Sequence, residues 1–207
     1  MARIAVIAHS HAGSNMSLAG AVAEGAAKEG NDHDVRLLRV ADIRGDEALA
    51  RAPHTGALFT ERVAPHPVAT LDDLVWADAI ILGSGTRFGG MAASMRHFLE
   101  GAAGLWMNGV LQGKVGAAFS TASSPHGGME QTVHDLLTAM MHFGMLIVSP
   151  GYADPVQFRA SSPYGPVAQA GGPEGLMPTD GDLEAARFTG ALVARTAARL
   201  SPAEPTA

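Results

Sequence analysis

The feature that most constrains this chain is a short apolar run, Ala79-Ile80-Ile81-Leu82, followed at once by GSGTRFGGMAASMRHFLE, residues 83 to 100. The run has the length and composition of a buried strand bounded by glycine. From Met91 onward, Met91, Met95, Phe98 and Leu99 recur at helical spacing. Between them, Gly83, Ser84, Gly85, Gly89 and Gly90 let backbone pass close to a flat or bulky partner. Such a strand, loop and helix belongs in an open parallel sheet, where loops at the carboxyl ends of strands form the ligand crevice.

The same unit recurs along the chain. Arg3 to Ala8 reads as a first buried strand, His9 to Met16 as a hydroxyl-rich loop and Leu18 to Lys28 as a helix. That loop would offer backbone NH groups and a helix N-terminus to an anion, with Ser14 or Asn15 equally suited to cap the helix. Asp34 to Val40 is a second strand after a turn at Gly30-Asn31-Asp32, and Thr70 starts a short helix before the third strand. Lys114 to Phe119 is a fourth strand, Ser120 to Gly128 a second polar glycine-rich loop, Met129 to His142 a helix and Met145 to Val148 a fifth strand. Ala41 to Val68, apart from a short helix over Glu47 to Arg51, and Gly151 to Gly181 read as irregular excursions. Asp182 to Leu200 closes the chain as a helix. The expectation is one α/β domain over residues 1 to 200 with a frayed tail at 201 to 207, a flavodoxin-like doubly wound five-stranded parallel sheet with helices on both faces.

Composition narrows the function. A formal charge of −6 argues against a nucleic-acid partner. The absence of cysteine removes disulfides, thiolate nucleophiles and thiolate metal sites. No apolar run reaches a membrane span and the N-terminus lacks the order of a signal peptide, so a cytoplasmic protein is expected. Nine histidines show no HxxxH or HExxH spacing, and no metal is expected. Neither GxGxxG nor a Walker lysine motif stands where a phosphate loop needs it, so three polar loops around one crevice suit a mononucleotide.

Ordered blocks then carry a family resemblance over nearly the whole chain: Thr86-Arg87-Phe88-Gly89-Gly90-Met91, Met95-Arg96-His97-Phe98-Leu99, Gly104-Leu105-Trp106, Gly113-Lys114, His126 to Thr132, His142-Phe143-Gly144-Met145, Pro163-Tyr164-Gly165 and Ala170-Gly171-Gly172. They resemble the WrbA-type NAD(P)H:quinone oxidoreductases, flavodoxin-like proteins that bind flavin mononucleotide (FMN). The resemblance implies that Ser10, His11, Gly13, Ser14 and Asn15 hold the flavin phosphate. It implies that Thr86, Arg87, Phe88 and Gly89 border the ring, and that Thr121, Ala122, Ser123, Gly127 and Gly128 close its other edge. Trp106 would line a quinone pocket, and the assembly would be a homotetramer. Ala12 stands where members carry a tyrosine, and Phe143 where they carry a flavin-contacting histidine. With NADH or NADPH as co-substrate, Arg87, His126 and His142 are the candidate catalytic side chains. The methionines at helical spacing, Met91, Met95, Met140 and Met141, are expected in the core. The alternative activity is a flavodoxin-like FMN-binding electron carrier without NAD(P)H turnover.

Overall fold

A computed structural model describes residues 1–30, 33–172 and 175–200. The elements are β1 (Arg3–His9), α1 (Ser14–Lys28), β2 (Asp34–Arg39), α2 (Asp46–Ala50), α3 (Gly56–Arg62), α4 (Leu71–Trp76) and β3 (Ala79–Gly85), then α5 (Ala93–Gly101), α6 (Ala103–Met107), β4 (Val115–Ala122), α7 (Met129–His142), β5 (Leu146–Ile147), β6 (Val167–Gln169) and α8 (Asp180–Leu200). The strands form a parallel sheet in the order β2-β1-β3-β4-β5, the doubly wound arrangement expected from the strand and helix alternation. The short β6 also pairs with β4, beside Ser120–Ala122, whereas β5 pairs beside Val115 and Gly116. One edge position is therefore shared by two short strands, with residues 148–166 looping out between them. That segment carries too many prolines and glycines to show a strand period, which is why β6 was not legible in the sequence.

Alternation along each strand builds two cores. Ile4, Val6 and Ala8 of β1 face one cluster with residues of α1 and α8, while Ala5 and Ile7 face the other with residues of α4, α5 and α7. Burial on both faces explains why these strands read as continuous apolar runs. The α1 and α8 helices approach so closely that a Cβ on Gly25 would lie 2.0 Å from the Arg187 carbonyl oxygen, and one on Gly190 would lie 2.0 Å from that of Val22. Helix α4 has Thr70 at its N-cap position, as its sequence suggested, and Thr70 and Asp73 close a capping box there. Among the expected core methionines, Met91, Met95 and Met140 are buried, but Met141 is exposed because the adjacent helical position Met140 takes the core-facing direction.

Several boundaries differ from expectation. Gly83, Ser84 and Gly85 belong to β3, and Ser120, Thr121 and Ala122 to β4, because the two strands keep pairing to Gly85 opposite Thr121. Helix α1 begins at Ser14, with Gly13 at its N-cap position, so neither Ser14 nor Asn15 caps it. The first excursion holds α3 as well as α2. Asn31, Asp32, Pro173 and the tail at 201–207 lie outside the described residues.

Candidate active site

Sheet register brings the site together. His9 pairs with Ser84, and Ser84 with Ser120, so the loops after β1, β3 and β4 leave the sheet side by side. Between them lies a cavity of about 530 Å³, in the size range of cofactor sites. Of the expected cofactor residues, Ser10, His11, Ser14, Asn15, Thr86, Arg87, Thr121, Ala122 and Ser123 line it. Gly13 lies between lining residues without itself facing the cavity. His54, Thr55, Ala170, Gly171 and Gly172 also line the cavity, brought in by the two excursions. The Ala170-Gly171-Gly172 block was visible as a motif; His54 and Thr55 had no local signal.

The first loop has the features of an anion cradle. Gly13 adopts φ +92 and its NH donates to Ser10 Oγ at 3.0 Å, fixing the turn. No side chain caps the 15-residue α1, which leaves its first NH groups and dipole at the loop where Ser14 and Asn15 face the cavity. Asn15 is 1% exposed; its Nδ2 donates to the His9 carbonyl at 3.0 Å, while Oδ1 has no protein partner. A buried acceptor without a partner fits a hydroxylated ligand that can donate to it. Across the cavity the missing Cβ of Gly85 keeps the surface flat: one added there would lie 3.5 Å from Arg87 Nη1 and 3.6 Å from Thr121 Oγ1. These residues fit FMN: an anion cradle at one end, a free buried acceptor beside it and a flat wall opposite.

The third loop, the one that follows β3, is an exposed turn. Arg87 and Gly90 exchange two backbone hydrogen bonds of 2.8 and 3.1 Å, while Phe88 and Gly89 between them hold φ of 54 and 83. Phe88 projects fully into solvent, and neither it nor Gly89 lines the cavity within one protomer. A Cβ on Gly89 would meet nothing within 4 Å, so its glycine serves the positive φ rather than clearance. The Thr132 hydroxyl, 2.7 Å from Thr86 Oγ1 and 3.0 Å from the Gly128 carbonyl, ties this loop to the start of α7. There Gly128, at φ +87, approaches Gly89 so closely that an added Cβ would lie 3.0 Å from its Cα.

A charged network missed by sequence reasoning underlies the cavity. Asp42, 3% exposed at its side chain, receives His9 Nε2 and His11 Nε2 at Oδ2, each at 3.0 Å, and Arg44 NH and Nε at Oδ1, each at 2.9 Å. Burial pushes the Asp42 carboxyl upward, but the hydrogen bonds from His9, Arg44 and His11 together outweigh it and hold the group far below the carboxylate range. Arg87 Nη2 lies 2.8 Å from His11 Nδ1, and Arg87 Nη1 donates to the Thr86 carbonyl at 2.8 Å. Burial, then Arg87 and His9, lower the His11 pKa to about 4 against the opposing pull of Asp42, so His11 is neutral at neutral pH. His9, His11 and Asp42 present ligand atoms within 4.8 Å of one another, a spacing that suits a metal. Arg44 already fills the cation's role, with Nη2 2.7 Å from His11 Nε2 and 3.3 Å from Asp42 Oδ2. Asp42 was illegible because only the placement of β2 beside β1 carries the loop after β2 to the first loop.

The remaining candidates lie elsewhere. His126 and Gly128 line a second, shallower cavity of about 880 Å³ with His134, Arg159 and Tyr164, and Gly127 sits inside the same turn. His142 is exposed at the far end of α7, which runs away from the crevice toward the start of β5. Phe143 packs against the core. Trp106, on α6, is 53% exposed and away from the main cavity.

The 2-1-3-4-5 sheet, with an anion cradle after β1 and a flat-walled crevice between β1, β3 and β4, defines a flavodoxin-like mononucleotide-binding protein. Residues 2–156 match the NADPH-dependent FMN reductase family. The chain is 43% identical over 205 residues to an NAD(P)H dehydrogenase (quinone) of Azorhizobium caulinodans, covering 97% of this chain and 99% of that protein. It is 39% identical over 205 residues to the protein of the same name from Rhodopseudomonas palustris strain TIE-1, with the same coverage. A solved flavodoxin, WrbA-like protein from Agrobacterium tumefaciens superposes with a TM-score of 0.67 at 27% identity, over 96% of this chain and 99% of that one. The chain belongs to the NADPH-dependent FMN reductase family and, within it, to the WrbA-type NAD(P)H:quinone oxidoreductases.

Proposed function

We propose that this chain is an FMN-dependent NAD(P)H:quinone oxidoreductase. The observation that carries the reading is the pairing of an uncapped α1 N-terminus with the Gly85 wall and Arg87 in one cavity, in a chain so similar to proteins of that name. FMN, when bound, supplies the two-electron chemistry that links a nicotinamide hydride donor to a quinone acceptor. Ser10 to Asn15 bind its phosphate through backbone NH groups and hydroxyls, and Asn15 Oδ1 accepts from a ligand hydroxyl. Thr86, Thr121, Ala122 and Ser123 hold the ring between the two strand ends, and Arg87 keeps a permanent positive charge at the mouth of the cavity. Gly127 and Gly128 shape the turn that closes the far edge, and Phe88 and Gly89 form an exposed rim for the incoming substrate. His126, in the neighbouring cavity, and His142, at the far end of α7, remain candidate proton donors to a quinone oxygen only across a subunit boundary.

The reading includes a homotetramer, which brings Trp106 of one protomer to the quinone pocket of another. Its support is the exposure of Phe88, Trp106, Met107 and Phe158, large apolar side chains left in solvent by a single protomer. No helix among the described residues is long and apolar enough to cross a membrane, and a soluble intracellular hydride donor suits a cytoplasmic enzyme. Addition of FMN to the purified protein should give a bound-flavin absorbance spectrum. Stopped-flow mixing with NADH or NADPH should bleach it rapidly, and quinone should restore it. Retained flavin without bleaching would instead leave the electron-carrier activity.

A further inference from the structure

We infer that Asp42 and His11 are positioning residues for Arg87: the buried Asp42 carboxylate fixes the tautomer of His11, and His11 in turn aims the Arg87 guanidinium over the cavity. Among the described residues Arg87 is the one permanently charged side chain lining the cavity, so what orients it bears directly on the electrostatics of the site. Its guanidinium has two protein acceptors among the described residues, the Thr86 carbonyl on its own loop and His11 Nδ1 on the first loop. Only the second crosses the cavity mouth.

The bond to His11 requires a lone pair on Nδ1, since a guanidinium donates and never accepts. A neutral imidazole with a free Nδ1 carries its proton on Nε2. Asp42 Oδ2 stands 3.0 Å from that nitrogen, and a carboxylate can only accept. The Arg87 and Asp42 contacts select this tautomer from opposite sides of the ring, against Arg44 Nη2, which stands 2.7 Å from Nε2 and 3.3 Å from Asp42 Oδ2 and with Nε2 protonated donates to the carboxylate alone. Asp42 is itself held still by His9 from β1 and by the Arg44 backbone NH and Nε. The groups facing His11 are therefore His9 on β1, Asp42 and Arg44 after β2, and Arg87 after β3, two of them permanent cations. They oppose a second proton on the ring, in keeping with its lowered pKa. Replacing Asp42 with asparagine keeps the shape but lets the amide present an NH₂ to Nε2. The ring then favours a proton on Nδ1, which faces Arg87 donor to donor.

This inference rests on the FMN-binding reading above, so the experiment includes one measurement made without flavin. Imidazole ¹⁵N NMR of the full chain should show His11 protonated on Nε2, and in Asp42→Asn protonated wholly or partly on Nδ1. A wild-type His11 protonated on Nδ1 overturns the inference by itself. FMN titrations followed by flavin fluorescence should then show Arg87→Ala and Asp42→Asn each weakening binding by roughly tenfold. The Asp42→Asn/Arg87→Ala double variant should be no weaker than Arg87→Ala alone, because Asp42 acts through Arg87. Losses that multiply in the double variant overturn the inference while leaving FMN binding intact. Wild type that binds no FMN overturns the functional reading instead. Should Asp42→Asn fail to fold, His11, whose side chain is 25% exposed, serves: His11→Ala should lose the affinity, and His11→Gln, which can still accept from Arg87, should recover most of it. Equal loss in both overturns the positioning role.

Discussion

Two loops frame the same cavity and are built in opposite ways. The loop after β1 is buried and tied: Ser10 and Asn15 are 7% and 1% exposed, Ser10 Oγ and Asn15 Nδ2 bind neighbouring backbone, and His11 is anchored to Asp42 below. The loop after β3 is a turn in solvent, held at its base by the Arg87–Gly90 pair and by Thr86, with Phe88 standing clear at its tip. The contrast suits the tasks proposed for them. An anion is bound by fixed dipoles that must not move when the ligand leaves. An incoming flat substrate needs an accessible rim, and exposure is its requirement rather than a defect.

Substitutions can break this contrast, in order of expected size. Gly13→Val forces a β-branched residue into φ +92 and drives its Cβ to 2.6 Å from Arg62 Cβ. Loss of FMN affinity by at least about 100-fold and of about 2–3 kcal/mol in stability should follow, measured by fluorescence titration and urea unfolding. A retained cradle would mean that the first loop is as pliable as the third.

The next effect is in pH. His11 protonates in the unfolded chain near its ordinary 6.5 but in the folded chain only near 4. Between these values the unfolded state binds more protons, so stability rises with pH across the window and is lost as pH falls through it. A difference of about 1–2 kcal/mol in that window should separate wild type from His11→Gln in urea unfolding. Parallel pH curves for the two proteins would show that His11 is not the buried partner of the tied loop.

On the exposed side the effects should be smaller. Gly89→Ala meets open space but keeps a positive φ, and should cost about 1 kcal/mol with FMN affinity unchanged within about twofold. Phe88→Gly relieves a bulky residue at φ 54 and should stabilise the fold by about 0.5–1 kcal/mol by thermal denaturation, while raising the KM for quinone. A large loss of FMN affinity in either would move the third loop from rim to cradle.

Much of this was legible before any coordinates. Arg3 to Ala8 and Ala79 to Leu82 announced buried parallel strands, and Ser10, His11, Ser14 and Asn15, which line the cavity, follow β1 within a few residues, where local reading works. Strand β6 and helix α3 escaped because short segments broken by glycine and proline have no period to read. The reach of β3 and β4 past their apolar runs escaped because small polar residues join a strand when its neighbours pair with them.

The sequence by itself determined the alternation of strand and helix, the absence of thiol chemistry and the makeup of each crevice loop, all properties of neighbouring residues. Only the tertiary structure decided that Asp42, 31 residues beyond His11, lies beneath it, and that His54 and Gly172 share a cavity with Arg87. Hydrogen bonds across the sheet, not chain neighbourhood, set those distances. The same pairing makes the loop that opened the sequence reading dependent on its partners: Thr86 and Arg87 line the cavity, and Arg87 Nη2 meets His11 Nδ1 of the first loop at 2.8 Å.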